Sequence, residues 1–349
     1  MSKDSNGHSL RRRFWVGGAT GFLGSHLVRQ LVDRGHEVIA VSRSGGEVAG
    51  VRVQALDVLD AEAVAESARG AEGAFLATGK VSRSRDAAEE LHRAHVLGTR
   101  SALQGLQKAG VRRVVVASTS GTIAVSRDEA AIADESAQAP LELIARWPYY
   151  RSKMYAEREA LEANRPEFEV VIVNPSLLLG PGDLRESSTG DVRLFLQRAL
   201  PAVPAGGVAF VDVRDAAEGM WLAFERGRPG QRYLLNARNM TMAAFLARLE
   251  RISGVRVPLL RLPRSRPLAA GMSRLYASAV KAVGGEPPVS EETAELAQYF
   301  WYCDSTLAER ELGFRPRDPG ETLRDTVYDL VRRGVVFLPE LRTSEAPPP

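Results

Sequence analysis

Over the first half of the chain, short apolar runs alternate with longer stretches whose apolar residues recur at helical spacing. The runs at 14–17, 37–41, 51–55, 73–77, 111–117 and 169–173 are short and bounded by turn-forming residues, so they read as strands. The stretches 24–34, 61–68, 87–109 and 149–164 read as amphipathic helices between them. Strands that alternate with helices this regularly predict an α/β fold built on a doubly wound parallel sheet. Past Pro175 the regularity fades. A loop at 180–190 leads to a helix at 192–199, short strands at 208–211 and 231–235 and a helix at 241–252, followed by a mixed, Pro- and Arg-punctuated stretch at 255–285. No internal repeat is visible.

The first predicted strand runs into Gly17-Gly18-Ala19-Thr20-Gly21-Phe22-Leu23-Gly24. Glycines at 18, 21 and 24 suit a backbone that turns tightly, lets a pyrophosphate approach and packs a helix closely on the sheet. The helix start, with Phe22 and Leu23, then offers backbone N–H groups to phosphate. A glycine triad alone is weak evidence, but a strand before it and an amphipathic helix after it supply the context of a dinucleotide site. At the end of the second strand an NAD site usually places a carboxylate, and none stands there. Ser42 and Arg43 offer a hydroxyl and a guanidinium instead, which match a ribose 2′-phosphate and favour NADP(H) over NAD(H). Asp57 and Val58, after the third strand, are placed to hold the adenine. The expected organisation is a Rossmann domain at 13–175 with 208–240 returning to it. A smaller discontinuous C-terminal substrate lobe then covers 176–207 and 241–340, with a disordered lead at 1–12 and a disordered tail at 341–349.

Trp147-Pro148-Tyr149-Tyr150-Arg151-Ser152-Lys153 opens a helix, Pro148 suiting its first turn. Residues four apart share a helix face, so Tyr149 and Lys153 point the same way. No other tyrosine in the chain has a lysine four residues on. Carbonyl reduction needs a proton on the developing alkoxide, and a free phenol near pKa 10 is a slow donor. A lysine ammonium beside it is expected to lower that pKa and to hold the nicotinamide ribose. A neutral hydroxyl from the end of the fifth strand should orient the carbonyl, and Ser118, Thr119 and Ser120 all stand there.

Composition narrows the partners. Lys plus Arg number 46 against 43 Asp plus Glu, a net charge of only +3 despite a pI near 9.1, which argues against nucleic acid. The single cysteine, Cys303, permits no intrachain disulfide and no thiolate metal cluster, as fits a reducing cytoplasm. Arg11 to Arg13 precede a glycine turn rather than a long apolar run, unlike a signal peptide. No uncharged run is long enough to span a bilayer. His92 and His95 lie three apart but lack a third ligand, so no metal is expected.

In this order, Gly18 to Gly24, Asp57, Gly98-Thr99, Ser118 to Thr122, Tyr149/Lys153, Asn174-Pro175-Ser176, Gly180-Pro181-Gly182-Asp183 and Val211 to Asp215 resemble the extended short-chain dehydrogenases/reductases. Within them the chain is most similar to the dihydroflavonol-reductase-like and 3β-hydroxysteroid-dehydrogenase-like branch. The resemblance covers about residues 13–335. It implies Thr119 as the catalytic hydroxyl beside Tyr149 and Lys153, Ala77 and Thr78 along the adenosine and diphosphate, and Pro175 near the nicotinamide amide. It also implies a homodimer packed through the helices at 87–109 and 149–164. Two positions depart from the family pattern: His95 stands where an Asn usually braces the active-site helix, and Gly17 where a Thr usually ties the turn.

The expected substrate lining, Leu177 to Leu179, 184–195 and 267–280, is largely aliphatic, although the three leucines also read as core. An apolar carbonyl or alcohol is favoured, and the first functional reading is NADP(H)-linked interconversion of a ketone and a secondary alcohol. Two others share the motifs: a nucleotide-sugar epimerase or dehydratase with tightly held cofactor, and a non-catalytic NADP-binding sensor. The basic, apolar segment 260–281 reads as a solvated helix, a lid or a peripheral membrane contact.

Overall fold

The computed structural model describes residues 11–338, so the expected disordered lead and tail fall almost wholly outside the described residues. Among the described residues eleven strands form two sheets: β1 Arg13–Gly17, β2 Glu37–Ser42, β3 Gly46–Val48, β4 Val51–Ala55, β5 Gly73–Leu76, β6 Arg113–Ala117, β7 Glu169–Pro175, β8 Leu177–Leu179, β9 Gly207–Asp212, β10 Arg232–Leu235 and β11 Arg238–Thr241. The large sheet runs β10-β7-β6-β5-β1-β2-β4-β3, parallel except for the β3–β4 hairpin at its edge. Its central strands are buried on both faces, which is why they read as continuous apolar runs rather than alternating ones.

From β1 the chain builds outward to β2 and β4, then crosses back to β5 and builds the other way. The strand order therefore reverses between β1 and β5, and a crevice opens there at the carboxyl ends, where Gly17 lies opposite Leu76. The helices Phe22–Asp33 and Val213–Arg226 pack on one face with Trp221, Phe224 and Phe14, while Ala61–Ser67 and Gly98–Lys108 pack on the other.

The second sheet, β11-β9-β8, is small and sits beside helices Gly190–Leu196, Met242–Ser253 and Pro319–Arg332 over a core of Leu179, Phe195, Phe210, Phe245, Leu249 and Leu330. The stretch 208–240, expected to return to the Rossmann domain, divides between the two sheets. The helix Val213–Arg226 and β10 join the large sheet, but β9 pairs with Leu177–Leu179 on one side and Arg238–Thr241 on the other. Three-residue strands such as β3 and β8 are too short to leave a periodic signal. The Val211 to Asp215 motif joins the end of β9 to the helix on the large sheet: Asp212 caps the Val213–Arg226 helix and pairs with Arg214, and Arg317 pairs with Asp215.

Candidate active site

The glycine turn lies at the crevice. Gly18 takes φ +80°, and its N–H and that of Ala19 both donate to Val41 O at 3.0 Å. A Cβ on Gly18 would lie 2.6 Å from Ala77 O, and one on Gly24 2.1 Å from Gly18 O, so neither position admits a side chain. The helix Phe22–Asp33 begins at Gly21 with no side-chain cap, leaving its first N–H groups to an incoming anion. Gly17 has its own cause: a Cβ there would meet the Trp15 ring at 2.7 Å, and that indole is buried and donates to Ser67 Oγ. An uncapped helix start behind a cradle that excludes Cβ atoms fits a dinucleotide diphosphate.

One cleft of about 950 Å3 joins this turn to the small lobe. It brings together Gly21, Phe22, Leu23, Arg43, Ala77, Thr78, Thr119, Tyr149, Lys153 and Pro175. Gly18 and Gly24 shape it from behind. Arg43 is exposed at its rim. Ser42 is buried, its hydroxyl 3.4 Å from Gly45 O, and does not line the cleft. Asp57 and Val58 do not line it either: the Asp57 carboxylate accepts from Leu59 N in its own turn, and Val58 faces Gly98.

At the other end, Pro148–Ala163 starts with Pro148 in its first turn, and Tyr149, Lys153 and Glu157 follow at four-residue steps. Lys153 is buried and its Nζ donates to Ala117 O at 2.9 Å. Burial lowers its ammonium to about 8, against the opposing pull of Glu157. Tyr149 departs from expectation. Its phenol is pushed above the ordinary value, by burial first and by the Tyr150 phenol second, so lowering by Lys153 does not prevail in this cleft. Glu157 is buried. One of its oxygens accepts from Ser118 Oγ (2.5 Å), Thr122 Oγ1 (2.8 Å) and Asn174 Nδ2 (2.7 Å), and the other lies 3.3 Å from Arg232. This network separates the three candidate hydroxyls. Ser118 is spent on Glu157, and buried Ser120 meets the Cys303 thiol. Thr119 Oγ1 only accepts, from Gly121 N at 3.3 Å, and keeps its proton to give.

His95 lies in a π-helical turn, Arg93–Leu97, that interrupts the helical run from 88 to 108. Its Nε2 accepts from Lys80 N at 3.1 Å, so the neutral ring carries its proton on Nδ1. That nitrogen donates to Ser152 Oγ at 2.8 Å, and Ser152 donates in turn to Tyr149 O. Burial, with the Lys153 charge as the second cause, lowers its pKa to about 3. His95 thus ties Lys80 to the Pro148–Ala163 helix, both ring nitrogens being occupied by the protein.

Sequence reasoning missed several residues here. Trp301 lines the cleft and stacks on Tyr150 at 4.6 Å, and Tyr150 meets Tyr149 edge-on at 5.1 Å. Arg83 grips Asp191 with two bonds of 2.6 and 2.7 Å, strapping the loop after β5 to the small lobe across the cleft. Nothing local in sequence links partners 108 residues apart. Glu157 was within reach, one turn beyond Lys153 on the same face. Of the three leucines, Leu179 is core while Leu177 and Leu178 line the cleft. Of the other expected lining, Leu184, Asp191, Met272 and Tyr276 are found in place.

Comparison with known proteins agrees with this geometry. Residues 15–235 match the model of the NAD dependent epimerase/dehydratase family. The chain is 33% identical to a putative dihydroflavonol 4-reductase of Synechocystis over 93% of its length and 96% of that protein's. It is 32% identical to the 4-hydroxy-2-methyl-3-oxo-4-farnesyl-3,4-dihydroquinoline-1-oxide ketoreductase of Stigmatella aurantiaca, covering 87% and 92% of the two chains. Among solved structures, that of gox2253 superposes with a TM-score of 0.79 at 28% identity, over 94% of this chain and 100% of the other. A dTDP-glucose 4,6-dehydratase from Streptomyces venezuelae with NAD bound, 24% identical over 93% and 98% of the chains, shares the fold at a TM-score of 0.70. The chain belongs to the NAD dependent epimerase/dehydratase family, among the extended short-chain dehydrogenases/reductases, and is an enzyme of the NAD(P)-dependent oxidoreductase class.

Proposed function

We propose that this enzyme interconverts a ketone and a secondary alcohol on an apolar substrate, using NADP(H). The observation that carries the reading is the cleft itself: Tyr149 and the free Thr119 hydroxyl open onto a small-lobe wall that includes Leu177, Leu178, Phe245, Leu262, Met272 and Trp301. Such a wall desolvates an apolar body well. Relatives named as reductases, one of them for a farnesyl-bearing ketone, support the same choice. Arg43 supports the phosphorylated cofactor, since it stands exposed at the adenosine end and pairs with no carboxylate among the described residues.

When bound, the reduced nicotinamide supplies the hydride to the carbonyl carbon. Thr119 donates its hydroxyl proton in a hydrogen bond to the carbonyl oxygen and fixes its direction. Tyr149, held protonated at neutral pH by its burial, gives up the phenolic proton as that oxygen gains charge. Lys153 remains mostly an ammonium at neutral pH; one N–H is committed to Ala117 O, and the others are left for the cofactor ribose and the Tyr149 phenolate as it forms. The phenol's raised pKa suits the reducing direction.

The test is an NADPH-oxidation assay over ketones graded from hydroxylated sugars to long-chain and polycyclic compounds, with Tyr149→Phe alongside. Apolar ketones should be reduced fastest, and Tyr149→Phe should lower kcat at least about 100-fold while still binding NADPH. Turnover confined to nucleotide sugars, or an unimpaired Tyr149→Phe enzyme, refutes the reading.

A further inference from the structure

From Arg251 to Gly285 the chain holds seven basic residues, Arg251, Arg256, Arg261, Arg264, Arg266, Arg274 and Lys281, and no Asp or Glu. Elsewhere the two signs are almost balanced, so this stretch is a concentrated positive surface. Three of the seven have partners: Arg264 pairs with Glu129, Arg274 lies 3.8 Å from Glu291, and Arg266 sits over the Tyr299 ring. Arg251, Arg256, Arg261 and Lys281 meet no carboxylate among the described residues.

Most of the segment forms the helix Arg266–Ala282, which is apolar on two sides. Inward, Ala269 and Ala277 are buried, and Met272 and Tyr276 line the cleft. Outward, Leu268 and Leu275 lie two turns apart on one stripe, 57% and 74% exposed, with Val283 at the helix end 84% exposed and Leu259 in the approach loop fully so. Arg274 and Lys281, also two turns apart, run along the flank of that stripe. Large aliphatic side chains gathered at a surface mark a contact site. Here the stripe is flanked by Arg274 and Lys281, with Glu291 the one carboxylate recorded against that flank.

We propose that this helix and its approach loop dock on an anionic lipid bilayer, the Leu268/Leu275 stripe entering the headgroup boundary and the basic row lying on lipid phosphates. Charge decides between occupants. A second copy meeting this face about a twofold axis would set its uncompensated cations against their own kind. Because Leu260, Met272 and Tyr276 of the same segment wall the cleft, docking turns its mouth to the bilayer, where an apolar ketone would be dissolved. That last consequence, unlike the docking, rests on the reductase reading above.

The experiment is co-sedimentation of the full chain with vesicles of phosphatidylcholine alone and with roughly 30 mol% phosphatidylglycerol, which gives the bilayer a negative surface potential. Binding should require the anionic lipid and weaken as salt rises. Arg274→Gln with Lys281→Gln should weaken it about 25-fold, roughly fivefold per charge. Leu268→Ser with Leu275→Ser should abolish it, and both variants should reduce a water-soluble ketone at the parental rate. Equal binding to neutral vesicles, or none to anionic ones, overturns the proposal. So does a dimer seen by light scattering that Leu275→Ser dissolves, since the stripe would then belong to a second copy. Vesicle binding without reduction of any ketone would instead count against the reductase reading and leave docking standing.

Discussion

Replacing His95 by asparagine should flatten part of the acid dependence of stability, by an amount the site geometry sets. The imidazole is 2% exposed, accepts a backbone N–H at Nε2 and faces the Lys153 ammonium, so the fold holds it neutral with a pKa of about 3 against 6.5 when free. In the unfolded chain the same ring takes up a proton as the pH falls through 6.5. Between pH 6.5 and 3 the unfolded state therefore binds the extra proton, and stability drops as the medium is acidified. Integrated from pH 7, the loss is about 2 kcal/mol by pH 5 and about 3 kcal/mol by pH 4, taking 1.36 kcal/mol per pH decade. Asparagine can keep a bond to Lys80 N or Ser152 Oγ but does not titrate, so its cost is independent of pH. Urea unfolding of the cofactor-free protein between pH 5 and 7.5 gives the difference between parent and variant. Every other titrating group cancels in that difference, including His26 and His36, whose pKa values burial also lowers. A difference constant within about 0.5 kcal/mol across the range, the error of such extrapolations, would show that His95 is not held neutral as described.

Two other outcomes follow from the site. Arg43→Ala should weaken NADPH binding about 10- to 100-fold, the worth of charge-assisted phosphate bonds, and leave NADH binding unchanged; titration of cofactor fluorescence reads both, and equal losses would remove the 2′-phosphate role. The value of kcat/KM for reduction should fall as the pH passes about 8, where the buried Lys153 ammonium deprotonates. Glu157 opposes that deprotonation, so Glu157→Gln should move the alkaline limb to lower pH, and a pH–rate profile with an unmoved limb contradicts the assignment.

Much of the nucleotide half is legible in the amino-acid sequence because its determinants are local. A strand, three glycines and a helix start lie within about twenty residues. The constraints on Gly18 and Gly24 come from backbone atoms only a few residues or one neighbouring strand away. Tyr149 and Lys153 can be paired for the same reason, since one helical turn places them on a shared face whatever surrounds the helix. The alternation of βα units predicts a parallel sheet in the same way, while the place where its strand order reverses, between β1 and β5, is seen only in the fold.

What surrounds those residues cannot be read in the same way. Which of three adjacent hydroxyls remains free depends on Glu157, Asn174 and Arg232 converging from the active-site helix and two strands. The direction of the Tyr149 shift depends on how deeply the fold buries it, a quantity set by Tyr150, Trp301 and the small lobe together. That Asp57 and Val58 lie outside the cleft lining likewise depends on how the turn after β4 packs against the rest of the fold. The sheet, the glycine cradle and the shared helix face of Tyr149 and Lys153 are legible in the amino-acid sequence, because short-range geometry and periodicity suffice for them. The directions of the Tyr149 and Lys153 shifts, the free hydroxyl and the apolar wall before them arise from packing, because desolvation and long-range hydrogen bonds exist only once distant segments have come together.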